Sequence, residues 1–317
     1  DSNKPVKVEN IEVPAFDPKT LKITWKKTDY VYRHRIDEEL YKLDLEYGRE
    51  VTLTGAHSIF KLTKDGIKAE KTCNIKEGDY VAVPLAIPEN DCIKEYNLAK
   101  ELSQSEYHKK FSIEGVPRNI FLEKKDEIKS YLNKNYRQPY QAYYELREKS
   151  LLPIRLWHLV PDNILRNCKI KTTSPVKIPA FLTVNKELLL LLGYYIAEGW
   201  TTNICASKRI QLCLHKDEKD YIEDVKSCFK KCFSVEPYVE PPYNNAVKIT
   251  VNSILIWSVF NDVLKVSHYA KQKRIPEIVF NVSKELQREF LAGWHNGDLG
   301  STASPNLAND ISYLSLF

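Results

Sequence analysis

Along residues 13–84 the apolar positions come in short alternating runs, each closed by a turn signal, which predicts strands rather than helices. Val13-Pro14-Ala15-Phe16 leads through Asp17-Pro18-Lys19-Thr20 into Leu21-Lys22-Ile23-Thr24-Trp25. Further strands are predicted at 40–46, 50–53, 57–62, 67–70 after the Asp65-Gly66 turn, and 78–84, so residues 1–92 read as an all-β unit. From 93 to 180 the pattern changes to helix-prone stretches at 97–105, 123–135 and 141–149, punctuated by Pro117, Pro139, Pro153, Pro161, Pro175 and Pro179. From Ile178-Pro179 onward the pattern is α/β. It predicts a helix at 186–198, a hairpin within 201–215 and an amphipathic helix at 217–233. A strand at 247–251 and a helix at 254–264 complete an αββαββα order. A last amphipathic helix is predicted at 305–317, and the strand pairs that followed the first helix have no full counterpart after the second.

Two helical segments 100 positions apart look alike. One reads Leu191-Leu192-Gly193-Tyr194-Tyr195-Ile196-Ala197-Glu198-Gly199, the other Leu291-Ala292-Gly293-Trp294-His295-Asn296-Gly297-Asp298. In each, a glycine is followed four residues on by a small residue and then at once by a carboxylate. Residues four apart share a helix face, so Gly193/Ala197 and Gly293/Gly297 each leave a stripe without bulk. Two such stripes can pack backbone against backbone and bring the acids side by side. Acids at helix C-termini face the negative end of the macrodipole and one another, a penalty that a divalent cation removes, and hard oxygen ligands suit Mg2+. One copy alone would read as an ordinary core helix; the second copy points to a site. The pair resembles the signature of the LAGLIDADG homing endonucleases in their two-copy, single-chain form. That resemblance implies Glu198 and Asp298 as metal ligands and catalytic acids in a pseudo-twofold monomer. Its fold would be αββαββα repeats with a saddle-shaped antiparallel sheet lying across double-stranded DNA. The second copy departs from the pattern, with Leu299 where the first has Gly199.

Two further stretches extend the resemblance. Lys271-Gln272-Lys273-Arg274-Ile275-Pro276-Glu277 is similar to the basic segment ahead of the second signature helix in intein endonucleases. Lys273 stands there at the family's catalytic lysine; read from the residues alone, it is also consistent with a capping charge. Gly48-Arg49-Glu50-Val51-Thr52-Leu53-Thr54-Gly55-Ala56-His57-Ser58-Ile59-Phe60 resembles a block of the Hint fold, the splicing module of inteins, and 76–84 looks like the end of its N-terminal half. The resemblance implies that His57 polarises and protonates the upstream splice junction while Thr54 holds the strained peptide, chemistry suited to a group that titrates near neutrality. By itself Thr-x-x-His also fits a hairpin with a surface histidine.

Charge sharpens this picture only locally. The chain of 317 residues carries a net charge of +5, yet residues 107–180 hold fifteen Lys/Arg against seven Asp/Glu. There Tyr131, Tyr136, Tyr140, Tyr143 and Tyr144 interleave with Lys134, Arg137 and Arg147. With Lys124, Lys125 and Lys129 they form either a DNA-contact surface or a solvated helical linker. On the predicted sheet, Lys208, Arg209, Gln211 and His215, with Lys248 on the partner strand, are candidates to meet base edges. Seven cysteines lie scattered without CxxC pairs, and no run reaches a membrane span or a signal peptide, so a cytoplasmic, reduced setting is expected.

The resemblance covers residues 13–317 and implies an intein carrying a homing endonuclease. Its fold class is multidomain, with an all-β Hint-like domain at 1–92, a basic insertion at 93–180 and an α/β endonuclease at 181–317. The partners implied are a host precursor in cis and a double-stranded DNA target, with Mg2+ as cofactor of cleavage and none needed for splicing. Alternatives are a DNA-binding protein with an inactive endonuclease fold, or a free-standing homing endonuclease or RNA maturase. Asp1 stands where such a chain has a Cys or Ser nucleophile, no His-Asn pair closes it, and Met is absent. The expectation is therefore of a chain incomplete at both ends.

Overall fold

The computed structural model describes residues 4–9, 11–33, 35–46, 49–88, 92–204 and 207–315. Asp1, Gly48 and Phe317, which the sequence reading used, lie outside them. The chain divides into two compact units, one of Asp1–Asn90 with Ala308–Phe317, the other Asp91–Leu307.

The first unit is built of antiparallel ribbons: Glu12–Asp17 with Lys22–Lys27, Leu40–Asp44 with Glu50–Thr54, and Ser58–Thr63 with Gly66–Lys71. The stretch 78–84, predicted as a strand, makes only a bridge. Val81 faces Lys61, Leu62 N donates to Tyr80 O (2.8 Å) and Ala82 N to Phe60 O (2.8 Å). Beyond Val83 the chain meets Pro84 and leaves the ladder, because proline has no N–H to donate. Two-stranded ribbons bury little. Among the described residues of 4–88 only Gly55, Thr72 and Ile87 are buried. A groove of about 560 Å³ runs between Phe16, Ile23, Phe60, Leu85 and Tyr313.

The second unit has a dense core. Its principal sheet orders Gly199–Ile204, Ser207–His215, Ala246–Asn252 and Tyr238–Val239, all antiparallel. The pleat sends Ile210, Leu212, Leu214, Val247, Ile249 and Val251 to one side, where each is buried. Helices Lys186–Glu198, Lys219–Phe233 and Ile254–Ser258 complete the order αββαββα, and the last widens into a π-turn at Val259–Val263. Phe260 in that turn collects Tyr195 (5.3 Å), Phe233 (6.0 Å) and Phe229 (6.2 Å).

Residues 93–180 are part of this unit and have a core of their own, including Leu98, Leu102, Phe111, Ile113, Phe121, Leu132 and Leu152. Alongside helices Arg118–Glu123, Lys125–Asn135 and Pro139–Glu148 they form a second sheet, ordered Leu151–Pro153, Ser112–Glu114, Lys169–Lys171, Lys177–Pro179. Strands of three residues are too short to show alternation, which is why the sequence predicted only helices there. Glu95–Asn97 pairs with Phe181–Thr183, and Ser105 Oγ donates to Asp262 (2.6 Å), so the segment is stitched to the α/β region C-terminal to it. No helix of the described residues is long and apolar enough to cross a membrane.

Candidate functional site

The helix Lys186–Glu198 starts because Asn185 caps it, accepting from Leu188 N at 3.0 Å. Five leucines and the Tyr194-Tyr195-Ile196 stretch then bury nearly its whole circumference. The second helix, Lys284–Asp298, is amphipathic and buries Gln287, Phe290, Gly293 and Trp294. The two meet at their glycines. A Cβ on Gly193 would lie 2.9 Å from Gly293 Cα and 2.7 Å from Trp294 N, and nearer still to Phe290 O. A Cβ on Gly293 would strike Leu190 O, and one on Gly297 would overlap Ala197 Cβ and stand 3.3 Å from Glu198 Cγ. The glycine stripes thus face each other, and the acids emerge together at the ends.

The electrostatics register that approach. Burial and the negative charge of Asp298 push the Glu198 carboxyl up from 4.5 to about 7. Burial also raises Asp298, which Lys273 partly counters. Among the described residues no cluster of three or more His, Cys, Asp or Glu could hold a metal, so a cation at the helix ends would have at most the carboxylates of Glu198 and Asp298 from such side chains. That donor set fits Mg2+, which binds through one or two carboxylates and completes its shell with water and substrate phosphates.

Lys273 is buried with its ammonium on Ala197 O at 2.6 Å, and it feels both acids. The carbonyl belongs to the last turn of the first helix, where a cation complements the dipole. Burial lowers the lysine's pKa while the acids support its charge. Behind it, Ser304 Oγ donates to Lys273 O (2.8 Å). The connection leading to Lys273 is tied down as well. Tyr195 Oη donates to Ser267 O (3.3 Å), and the His268 ring joins Thr201 Oγ1 and Asn261 Oδ1, the latter at 2.8 Å. Across the helix pair, Asn296 Nδ2 donates to Tyr194 Oη (3.1 Å), which donates to Asp224 (3.2 Å). The sequence reading missed His268, Asn296 and Tyr194, whose partners lie 67 and 102 positions away.

Arg209, Gln211, His215 and Lys248 share the polar face of the principal sheet. Gln211 is buried between its neighbours, accepting from Thr202 (2.7 Å) and donating to Thr250 (3.4 Å), which corrects its reading as a base contact, and Lys248 pairs with Glu240 at 3.6 Å. Burial raises the pKa of Cys213 on this face, and the charge of Glu198, whose helix runs straight into the strand paired with Cys213's own, adds to it. Lys208 corrects the expectation. It is buried on the opposite side, its ammonium on Asn203 Oδ1 and over the rings of Trp257 (4.8 Å) and Tyr107 (5.0 Å). Adjacent residues of a strand cannot share a face, so Lys208 and Arg209 could not both meet a ligand.

In the basic segment, Lys125, Lys134 and Arg137 are exposed, whereas Lys124 pairs with Glu127 (3.1 Å) and Lys129 lies over Tyr143 (5.3 Å) and Tyr140 (5.6 Å). Tyr143 is fully buried with its hydroxyl on Phe121 O at 2.6 Å, so it is a core residue and not a stacking platform. In the first unit, Thr54 and His57 close the turn between two ribbons. His57 N donates to Thr54 O (3.1 Å), and His57 O accepts from Thr72 N and Oγ1, both at 2.8 Å, leaving the imidazole exposed.

A family model described as the intein splicing domain matches residues 6–313, and the chain belongs to that family. It is similar to an uncharacterized protein of Methanocaldococcus jannaschii, 29% identical over 308 residues that cover 95% of this chain and 33% of that one. It is also similar to the DNA polymerase II large subunit of Thermococcus kodakarensis, 28% identical over 294 residues, covering 91% of this chain and 16% of that one. A DNA polymerase of the same organism is 24% identical over 351 residues, covering 92% and 20%. The chain spans a third or less of the length of these relatives.

Proposed function

We propose that this intein combines protein splicing in cis with site-specific cleavage of double-stranded DNA by a LAGLIDADG homing endonuclease. What carries the reading is the contact of Gly193 with Gly293, which brings Glu198 and Asp298 together beside one buried lysine. Without a ligand that arrangement is costly, since two partly buried acids share the negative ends of two helices. Glu198 and Asp298 would hold Mg2+, which when bound supplies Lewis acidity to a phosphate diester. Lys273, held by Ala197 O beside both acids, would offset the charge that develops on the phosphate. Arg209, His215 and Lys248 would meet base edges from the sheet face, and Lys125, Lys134 and Arg137 would engage the backbone. In the splicing half, Thr54 and His57 act at the upstream junction, the exposed imidazole serving as the acid for the departing amide nitrogen. The host is a longer precursor, and the DNA polymerases among the relatives make a polymerase the first candidate.

The test is a duplex carrying the host coding sequence joined across the insertion point, incubated with the chain and Mg2+. Double-strand cleavage at one position, lost in Asp298→Asn while binding persists, is the expected result. Cutting that survives this substitution would sink the assignment of the acids.

A further inference from the structure

The four positions that lead to Lys273 give it little support. Tyr269, Ala270, Lys271 and Gln272 are all exposed. Their turn is local, with Gln272 N donating to Tyr269 O (2.9 Å) and Lys273 N to Ala270 O (3.3 Å). Besides the Ser304 bond to Lys273 O, the fixed points of this connection lie before it, at Ser267 and His268. Arg274 N donates back to Ser267 Oγ (3.2 Å), which closes the loop on its own base. Ser267 O accepts from Tyr195 Oη, and the His268 ring lies between Thr201 Oγ1 and Asn261 Oδ1. Tyr195 and Thr201 stand three residues before and three after Glu198, so the loop is pinned on both sides of that acid.

The ring's partners decide which nitrogen carries its proton. Asn261 Nδ2 donates to Asp262 Oδ1 (2.5 Å), which leaves the oxygen of the same amide facing His268 Nε2 (2.8 Å). An amide oxygen only accepts, so Nε2 donates. Burial lowers the ring's pKa and favours its neutral form, in which Nδ1 accepts from the Thr201 hydroxyl. Asp262 also accepts from Ser105 Oγ (2.6 Å), so every donor from Thr201 to Ser105 runs towards one carboxylate. Asn261 and Asp262 reach these places from the π-turn Val259–Val263, a deformation that is rare in helices and frequent at functional sites. A fully paired polar chain fixes one geometry where apolar side chains could slide. We infer that His268 is a positioning residue for Lys273, tying the loop that delivers the lysine to the strand that leaves Glu198. This rests on the endonuclease reading above. A reacting or stabilising group displaced by about 1 Å can cost on the order of 100-fold in rate.

The experiment uses the full chain, Mg2+ and the joined host duplex. His268→Ala should lower the single-turnover cleavage rate roughly 10- to 100-fold, while the Kd for the duplex, measured without metal, stays unchanged. His268→Asn offers an amide oxygen near the place of Nδ1, keeps the Thr201 bond and should recover part of the rate. A folded His268→Ala variant that cuts as fast as the unsubstituted chain overturns the inference. So does an Asn variant no faster than Ala, or a loss that lies wholly in Kd. Thr201→Val, which removes one hydroxyl from a strand, should reproduce the loss and carries the test if His268→Ala does not fold. A second readout needs neither metal nor DNA. Acylation of lysine amines, followed by mass spectrometry, should be slow at buried Lys273 in the unsubstituted chain. In His268→Ala it should be roughly 10-fold faster or more, the opening expected from two lost hydrogen bonds, with exposed Lys219 unchanged. Equal rates at Lys273 in both chains would refute the positioning role. If the duplex is cut under no condition, it is the endonuclease reading that fails, and acylation still decides whether His268 holds Lys273.

Discussion

Replacing Glu198 by glutamine keeps the side chain's size and removes one of the two charges at the helix ends. In the metal-free protein, burial and Asp298 raise this carboxyl from 4.5 to about 7. Between those values the folded state binds more proton than the unfolded chain. The contribution of Glu198 to stability is therefore complete below about pH 4.5, declines as pH rises, and is lost above about pH 7. At about 1.4 kcal/mol per pH unit the difference is roughly 3 kcal/mol, and the solvent contact Glu198 retains reduces it to about 2 kcal/mol. Glu198→Gln escapes that loss. It should melt with the unsubstituted chain at pH 4.5 and about 4–8 °C above it at pH 8, for a unit of this size. Calorimetry at the two pH values, without and then with Mg2+, reads this directly. Added Mg2+ should raise the Tm of the unsubstituted chain at pH 8 more than that of the variant. A variant no more stable than the unsubstituted chain at pH 8 would refute the claim that paired, buried acids strain these helix ends.

Gly193→Ala forces a methyl group into backbone atoms of the second helix that cannot rotate aside, and should cost about 3 kcal/mol or more in a denaturant melt. A loss below about 1 kcal/mol would mean the helices are not in backbone contact. Lys208→Met should destabilise by about 1–2 kcal/mol through its two ring contacts, with DNA affinity unchanged; weaker binding at unchanged stability would return the residue to the DNA face. Neutralising Lys125, Lys134 and Arg137 together should reduce the salt slope of DNA binding by about 3, and an unaltered slope would favour a purely structural segment. In a chain bearing both splice junctions, His57→Ala should slow cleavage of the upstream bond strongly; normal splicing would remove His57 from the chemistry.

What could be read from sequence followed the range of the underlying rule. The helix ending at Glu198 and its partner ending at Asp298 were legible because glycine, small residue and acid obey a spacing internal to one helix turn. The αββαββα order was legible for the same reason, since 3.6- and 2-residue periods are local. The strand face was half legible. Alternation separated Arg209 from Ile210, yet Lys208 was grouped with Arg209 by its charge, and the pleat turned it into the core between Tyr107 and Trp257. Tyr143 was misjudged likewise, because only the fold brings Phe121 O to its hydroxyl. Contacts such as Asn296 to Tyr194 or His268 to Thr201 join segments whose sequences carry no mark of one another.

Both acids are counted off from their glycines along an unbroken helical ruler. Gly193 to Glu198 and Gly293 to Asp298 are the same interval, although the second helix is 15 residues to the first's 13. An α-helix turns about 100° and rises about 1.5 Å per residue. One codon inserted or deleted inside that interval would leave the glycine contact intact and swing the carboxylate to the wrong flank. The connections ahead of the helices already differ in length: Ser283 lies eight positions after Ile275, Asn185 seven after Ile178. Length can therefore drift in the connections of this chain, while the short stretch from glycine to acid admits substitution but no change of frame length. A lineage that loses a residue there loses the pairing of the two acids in one step, whereas a lost side chain can be restored by a single reversion.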